Sequence, residues 1–427
     1  MVQVVFTSLY KAFPMKNRNI LIIIFITIFV DMLGFGILIP IIPQLLANPH
    51  SEFYLLPGGY TINQGYIILG FLVGIFPLMQ FIATPILGQL SDRYGRKKLL
   101  AFSLAGTSLS YVMFALGIVF KNIPLLFIAR GFDGITGGNI SVAQAAIADS
   151  TAPKDRARTF GLVGAAFGLG FIIGPYIGGK LADPSIISWF DAATPFWFAA
   201  ILAGLNALSV VWFFPETLKH YSTKTIHWAQ SGINVIKAFA KKGLRTTFIS
   251  AFFFQAGFTF FTTFFGVYLI YKFKFTQGNI GDFFAYVGLW IAICQGFITR
   301  FVTKVLREDQ ILRLSLIATG IFILDFFVPA TSTGLLFIVP AFAIFNGLSQ
   351  AAIPALVSRS VGYAEQGEIL GVSASVQALA QAIPPMLSGY IAASLSPSAP
   401  IVVSGIVIIL GGLVFNSFYR YKKIAHA

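Results

Sequence analysis

The sequence predicts an all-α polytopic membrane protein with twelve transmembrane helices in two pseudo-symmetric six-helix bundles. Three observations carry this expectation. Hydrophobic residues make up 57% of the 427-residue chain and charged residues only 10%, against about 25% charged in a soluble domain. Twelve apolar stretches are each long enough to cross a hydrocarbon layer of about 30 Å. The basic residues are also sorted by side. With the N-terminus taken as cytoplasmic, twenty-four of the 29 Lys and Arg fall in cytoplasmic segments and four in the opposite loops. That bias places both termini in the cytoplasm of a multi-pass plasma (inner) membrane protein. Cytoplasmic loops thus account for the net charge of +14, and no nucleic-acid partner is expected.

The spans run 20–46, 65–91, 98–120, 123–149, 157–182, 194–215, 245–271, 280–304, 310–331, 334–359, 368–394 and 399–420. The first begins near Ile20, is too long for the apolar core of a cleavable leader, and runs into Asp31 and two prolines. It is therefore read as a membrane helix. The charged stretch from Gly88 to Lys98 has to form a tight loop between spans 2 and 3. There, Gly88 is expected to let helices approach closely and Gly95 to supply the φ > 0 of a tight turn. Span 4 carries Arg130, Asp133, Gly134, Gly137, Ser141 and Gln144 at three- and four-residue spacing, a polar, small-residue stripe. Span 5 carries Gly170, Gly174, Gly178 and Gly179 for close backbone contact, and Pro175 to bend the helix. Span 7 has Phe252, Phe253, Phe254, Phe258, Phe261 and Phe264 on all sides, so most are expected to face lipid.

The polar, basic connection from Glu216 to Arg245 divides the spans six and six. Its Ile226–Ala240 portion is expected to form an interfacial amphipathic helix. The expected units are an N-terminal bundle over 1–215, a cytoplasmic linker over 216–244 and a C-terminal bundle over 245–427. A shift of 210 places Gly161 on Gly371, Pro175 on Pro385 and Gly179 on Gly389. Such weak internal repeats occur where two related bundles pack as a pair.

Charge inside a span costs about 2.5–3.5 kcal/mol even on the lenient insertion scale. Asp31 lies roughly 16 Å from the inner end of span 1, and Asp133 roughly 15 Å into span 4, at 1.5 Å per residue. Arg130 precedes Asp133 by one turn on the same face. One guanidinium between two carboxylates leaves a net negative charge, so Asp31, Arg130 and Asp133 are the candidates for proton coupling. The alternative is a buried ion pair that only fixes helix packing. Gln80, Ser141, Gln144, Gln255, Asn346, Gln350, Gln377 and Gln381 are candidates to line a substrate cavity. The alternative for the five in the second half is interhelical hydrogen bonding, about 0.6 kcal/mol each.

The order Gly88-x-Leu90-Ser91-Asp92-Arg93-x-Gly95-Arg96-Lys97 resembles the signature between helices 2 and 3 of the major facilitator superfamily. The exit Pro215-Glu216-Thr217 is similar to the ending common there after span 6. Gly170-x-x-x-Gly174-Pro175-x-x-Gly178-Gly179 is similar to the span-5 motif of its antiporters. Asp31-Met-Leu-Gly-Phe-Gly, Pro40-x-x-Pro43, Pro77-Leu-Met-Gln80 and Gly134-Ile-Thr-Gly137 with Ala148-Asp149 resemble the tetracycline-exporter branch of drug:proton antiporters. The resemblance implies that Asp92, Arg96 and Asp149, with Gly88 and Gly95, form a cytoplasmic gate. It also implies that Arg130 takes part in proton handling. Asp92 is further placed to face the N-terminus of span 11 near Gly367, where a positive helix end favours an anion by about 0.3–1 kcal/mol. Two positions depart from the pattern: Ser110 stands where those exporters carry an acid in span 3, and span 8 has no histidine. The resemblance therefore supports the proton-coupled exporter frame rather than tetracycline itself.

The expected function is alternating-access export of a small apolar or amphiphilic compound against protons. A proton-coupled importer or facilitator is the alternative, and a non-transporting sensor or scaffold a third. The expected partners are that compound, protons and the lipid bilayer, with the chain a monomer. No enzyme chemistry, cofactor or metal is expected. The four histidines lie in loops or tails, no nucleotide-phosphate loop is present, and Cys294 is the single cysteine.

Overall fold

The computed structural model describes residues 15–151, 156–223, 226–241, 244–360 and 366–420, and their regular structure is helical throughout. The first half contains α1 (Met15–Leu46), α2 (Ile62–Tyr94), α3 (Arg96–Val119), α4 (Ile123–Thr136), α5 (Asn139–Ser150), α6 (Arg156–Leu181) and α7 (Thr194–Phe213). A short helix, α8 (Gln230–Ala240), lies in the connection. The second half contains α9 (Arg245–Phe273), α10 (Gln277–Ile293), a π-helical turn (Cys294–Ile298), α11 (Thr299–Val305), α12 (Glu308–Asp325), α13 (Ser332–Arg359), α14 (Gln366–Ser394) and α15 (Ala399–Phe418). Every expected span is occupied by helix, and eight helical stretches among the described residues are long and apolar enough to cross a membrane, one of them α10 through α11 taken as one. The chain is a multi-pass membrane protein.

Residues 92–98, 216–223 and 226–230 mark one end of the bundle, called here the basic end. At the opposite end several helices begin on side-chain caps. Thr61 closes a capping box with Gln64, Asn122 accepts from Leu125 N, and Thr276 closes a box with Asn279. These caps satisfy helix N–H groups that have no partner in the first turn.

Two expected spans are interrupted. Span 4 breaks at Gly137-Gly138 into α4 and α5. A glycine pair gives up about 1 kcal/mol of helix propensity per residue relative to alanine, which makes such a break inexpensive. Span 8 relaxes into the π-helical turn at Cys294, whose Sγ donates to the Ile344 carbonyl at 3.2 Å.

The phenylalanines of span 7 do not mostly face lipid. Phe254, Phe261 and Phe264 are at most 3% exposed, and Phe252, Phe253 and Phe258 are half-buried. The reason is position, because α9 runs against α14, α15 and α1 rather than along the perimeter. Phe261 stacks on Phe326 and packs against Phe342, with ring centroids 5.7 and 5.0 Å apart. These rings anchor the apolar core of the second half.

The two halves meet most closely toward the opposite end. In the first half, α6 seats on α1 through Gly170, Gly174 and Gly178, where added Cβ atoms would strike Met32, Leu33, Gly36 and Ile37. Across the halves, α6 meets α10 and α2 meets α14. A Cβ on Gly281 would lie 2.5 Å from the Pro175 carbonyl oxygen, and one on Gly389 would lie 2.7 Å from the Tyr66 carbonyl oxygen. Only glycine permits this backbone-to-backbone approach.

Candidate functional site

A small cavity lies among the helices of the first half, where Asp31, Gln80, Thr107, Tyr111, Arg130 and Asp133 meet a largely apolar wall of Met32, Phe35, Phe76 and Ile140. Arg130 and Asp133 pair at 3.0 Å, each only 4% exposed. The guanidinium also lies over the Phe76 ring at 4.4 Å. Such a contact contributes about 2 kcal/mol or more when desolvated. The second oxygen of Asp133 accepts from Ser110 Oγ at 3.2 Å. A carboxylate from α4 therefore stands beside the α3 position where the resemblance called for an acid.

Asp31 is held apart from this pair. Its Oδ2 is buried without a hydrogen-bond partner, as are Arg130 Nε and both polar atoms of the Asn139 amide. Asn139 is fully buried beside Asp31. Among the described residues no ion pair joins Asp31 to Arg130, so the three charges share a cavity while only two of them pair. An unsatisfied buried polar group costs about 1–3 kcal/mol. Here several such groups lie near Asp31, outside the Arg130–Asp133 pair. Sequence reasoning did not single out Asn139 or Tyr111. The hydroxyl of Tyr111 occupies the space that a Cβ on Gly34 would take.

Of the residues expected to line a substrate cavity, Gln80 reaches this one, donating to the Gly137 carbonyl at 2.8 Å. The break after α4 frees that carbonyl. The Ser141 hydroxyl is used at a helix contact, with Thr84 O at 3.2 Å and Gly138 O at 2.7 Å. Gln144, Gln255, Gln377 and Gln381 are half-buried on α5, α9 and α14. Gln350 accepts from Gln295 at 3.4 Å. Asn346 is fully buried with both amide atoms unpartnered. None of these lines the Asp31 cavity.

At the basic end Arg96 is the hub. It pairs with Asp92 at 2.6 Å and Asp149 at 3.0 Å, and donates to Ser91 Oγ at 2.6 Å, while itself only 7% exposed. Gly95 has φ 103°, the left-handed region. Gly88 makes no close approach, since a Cβ there would meet only Ser141 Oγ at 3.7 Å. The expected contact of Asp92 with span 11 near Gly367 would fall at the start of α14, where the side chains are not described.

Glu216, read only as part of a chain ending, caps α3. Its carboxylate accepts from Arg96 N at 3.0 Å and Lys97 N at 3.2 Å. It also occupies the space a Cβ on Gly95 would need. A carboxylate on two free helix N–H groups gains from the hydrogen bonds and from the helix dipole. Glu216→Ala should lower stability by about 1 kcal/mol through loss of this cap. Thermal unfolding in detergent checks this, and an unchanged midpoint would show that the cap contributes nothing.

The opposite end has a cross-half lock that the sequence did not disclose. Lys180 Nζ pairs with Asp282 at 2.9 Å, Gln277 Nε2 donates to Ala182 O at 3.0 Å, and Gln44 Nε2 donates to Phe275 O at 3.1 Å. Sequence reading took Lys180 only as a loop charge. The partners are 102 residues apart, and nothing local connects them.

A family profile described as the Major Facilitator Superfamily matches residues 24–383, and again 247–425. The chain belongs to the major facilitator superfamily. Within it, the chain is 31% identical over 379 residues to the tetracycline resistance protein, class H, of Pasteurella multocida, covering 88% of this chain and 89% of that one. It is 29% identical over 417 residues to multidrug resistance protein 2 of Bacillus subtilis (strain 168), covering 96% and 97%. A solved D-xylose-proton symporter shares the fold with a TM-score of 0.76 at 14% identity, covering 94% of this chain and 98% of that one. The resemblance read from the Asp92 loop and the Asp31 segment is thus borne out at the level of family and branch.

Proposed function

We propose that this major facilitator protein exports a small apolar or amphiphilic compound in exchange for protons, by alternating access. The observation that carries the reading is the buried Asp31 carboxylate, in no ion pair among the described residues and with its Oδ2 unpartnered, at a cavity it shares with the Arg130–Asp133 pair. Relatives named for tetracycline and multidrug resistance support export. In this reading residues 1–215 and 245–427 are the two moving bundles, and 216–244 links them. The protein works as a monomer in the inner membrane with both termini cytoplasmic, and needs no cofactor. Asp31 carries the proton, with Arg130 and Asp133 setting its field. The Asp92–Arg96–Asp149 network latches the basic end. Gly170, Gly174, Pro175, Gly178 and Gly179 hold α6 against α1 and α10.

The test is transport in proteoliposomes with an imposed pH gradient, using a panel of amphiphilic compounds with internal pH recorded. Exchange predicts that a transported compound and protons move in opposite directions. Movement in the same direction would establish the importer reading instead, and no movement of any compound would remove transport.

The gate carries its own prediction. Asp92→Asn removes one of two carboxylates on a buried guanidinium and leaves Asp149 in place. The expected change is about 1 kcal/mol in the balance of states, roughly fivefold. Transport should fall by that factor with expression and topology unchanged, because acidic residues contribute little to orientation. Normal turnover would reduce the stretch to a topology signal.

A further inference from the structure

The connection between the halves does not lie loose on the surface. From Glu216 it runs back along α2. Ser222 N donates to Asp92 O at 2.8 Å, and His227 and Gln89 exchange two hydrogen bonds, of 2.7 and 3.2 Å. Ser231, at the start of α8, donates to the Phe81 carbonyl, well inside α2. Three residues on, Asn234 Nδ2 donates to Ser375 Oγ of α14 at 3.2 Å. The helix therefore bridges α2 and α14 at the basic end. The helix expected in this stretch is present, and it also bridges protein elements.

Its two attachments differ in kind. Toward the second half α8 is held by apolar packing. Ala238 is fully buried in a cluster with Leu244, Phe248, Val357, Val372 and Val376, joined by Val235 and Phe239. Toward the first half it is held by hydrogen bonds, through Ser231 and the His227–Gln89 pair. Apolar packing lacks direction but is lost with buried area, at about 25 cal/mol per Å². A hydrogen bond that water can replace contributes only about 0.5–1.5 kcal/mol net. The weaker seam is therefore the one with α2.

We propose that α8 is a wedge carried by the second half and docked releasably on α2, filling the α2–α14 gap while the basic end is open. The proposal rests on the alternating-access reading. When α2 and α14 approach at this end, the Ser231–Phe81 and His227–Gln89 bonds break and α8 moves with α14. The bond between Asn234 and Ser375 persists.

Two cysteine pairs, in a Cys294→Ala background, test this in the full-length protein. Gln89→Cys with His227→Cys joins α8's lead-in to α2, and Asn234→Cys with Ser375→Cys joins α8 to α14. The first reading needs no transported compound. It compares the yield of a short bismaleimide cross-link with and without Gly281→Leu, a substitution that props the opposite end open. The 89–227 yield is expected to fall about tenfold, within the usual range of coupling between states, while the 234–375 yield stays unchanged. The second reading is transport of the compound panel. The 89–227 cross-link should stop transport and the 234–375 cross-link should leave it running. Equal yields in both backgrounds, a fall confined to 234–375, or transport that continues through the 89–227 cross-link would overturn the wedge. If uncross-linked protein transports nothing, the export reading fails, and the yields still decide the wedge.

Discussion

Asp31→Asn is expected to abolish accumulation driven by a pH gradient while leaving exchange of labelled for unlabelled compound measurable. The carboxylate has an unpartnered buried oxygen and a buried amide, Asn139, at its side. Asparagine keeps the shape and removes the proton. The Arg130–Asp133 pair and its Phe76 contact do not involve Asp31, so the cavity should survive the substitution. A group that carries a proton in an essential step typically contributes about 100-fold or more. A fall of that size in gradient-driven flux, with exchange retained, separates lost coupling from lost binding. Full gradient-driven transport would move the proton site to Asp133.

Gly281→Leu should trap the protein with the opposite end open. A Cβ at this position would lie 2.5 Å from Pro175 O and 3.2 Å from Gly179 Cα, both backbone atoms of α6. Backbone has no rotamer with which to yield, so the helices must separate. Overpacking costs about 1–3 kcal/mol, and here it falls on the state in which α6 and α10 touch. Transport should drop tenfold or more, since 1.4 kcal/mol is about tenfold. A cysteine at Gln277, whose amide donates to Ala182 O, should react faster with a membrane-impermeant reagent. Thermal stability should change little, because the contact lies between the halves. Unchanged reactivity together with normal transport would show that α6 and α10 separate at no cost.

The spans were legible because length and apolarity are local properties. Asp31, Arg130 and Asp133 were legible because charge in a span is costly enough to draw notice. Which of them pair was not, since it depends on how far apart α1 and α4 hold their side chains. Gly137 was visible as part of the span-4 stripe; that the helix breaks there goes with a contact from another helix, Gln80 of α2 donating to the freed Gly137 carbonyl. The phenylalanines of α9 were misplaced for a similar reason, as periodicity cannot tell a buried helix from a lipid-facing one when every face is apolar. Glu216 and the Lys180–Asp282 pair join residues more than a hundred positions apart, beyond any local pattern.

The weak repeat proves more informative in three dimensions than along the chain. Pro175 and Gly179 meet α10 at Gly281, and Pro385 and Gly389 meet α2 near Gly70. Matching positions of the two halves therefore make matching contacts, although α14 has kept few of the glycines of α6. Such contacts require close backbone approach, which two or three small residues suffice to permit.

The Lys180–Asp282 pair differs from the glycine contacts around it in one respect. Its side chains are 34% and 48% exposed, so it is bathed by the solution at that end. Exposed pairs contribute about 0–1 kcal/mol, and mobile ions screen them over about 8 Å at physiological ionic strength. Close-packed backbone feels no such screening. Closure at the opposite end thus combines a fixed steric fit with a small term that fades as salt rises. Dilute medium favours the closed mouth and brine loosens it, by no more than about fivefold for 1 kcal/mol. Under alternating access, salt at that end is therefore expected to shift the balance of closure only mildly.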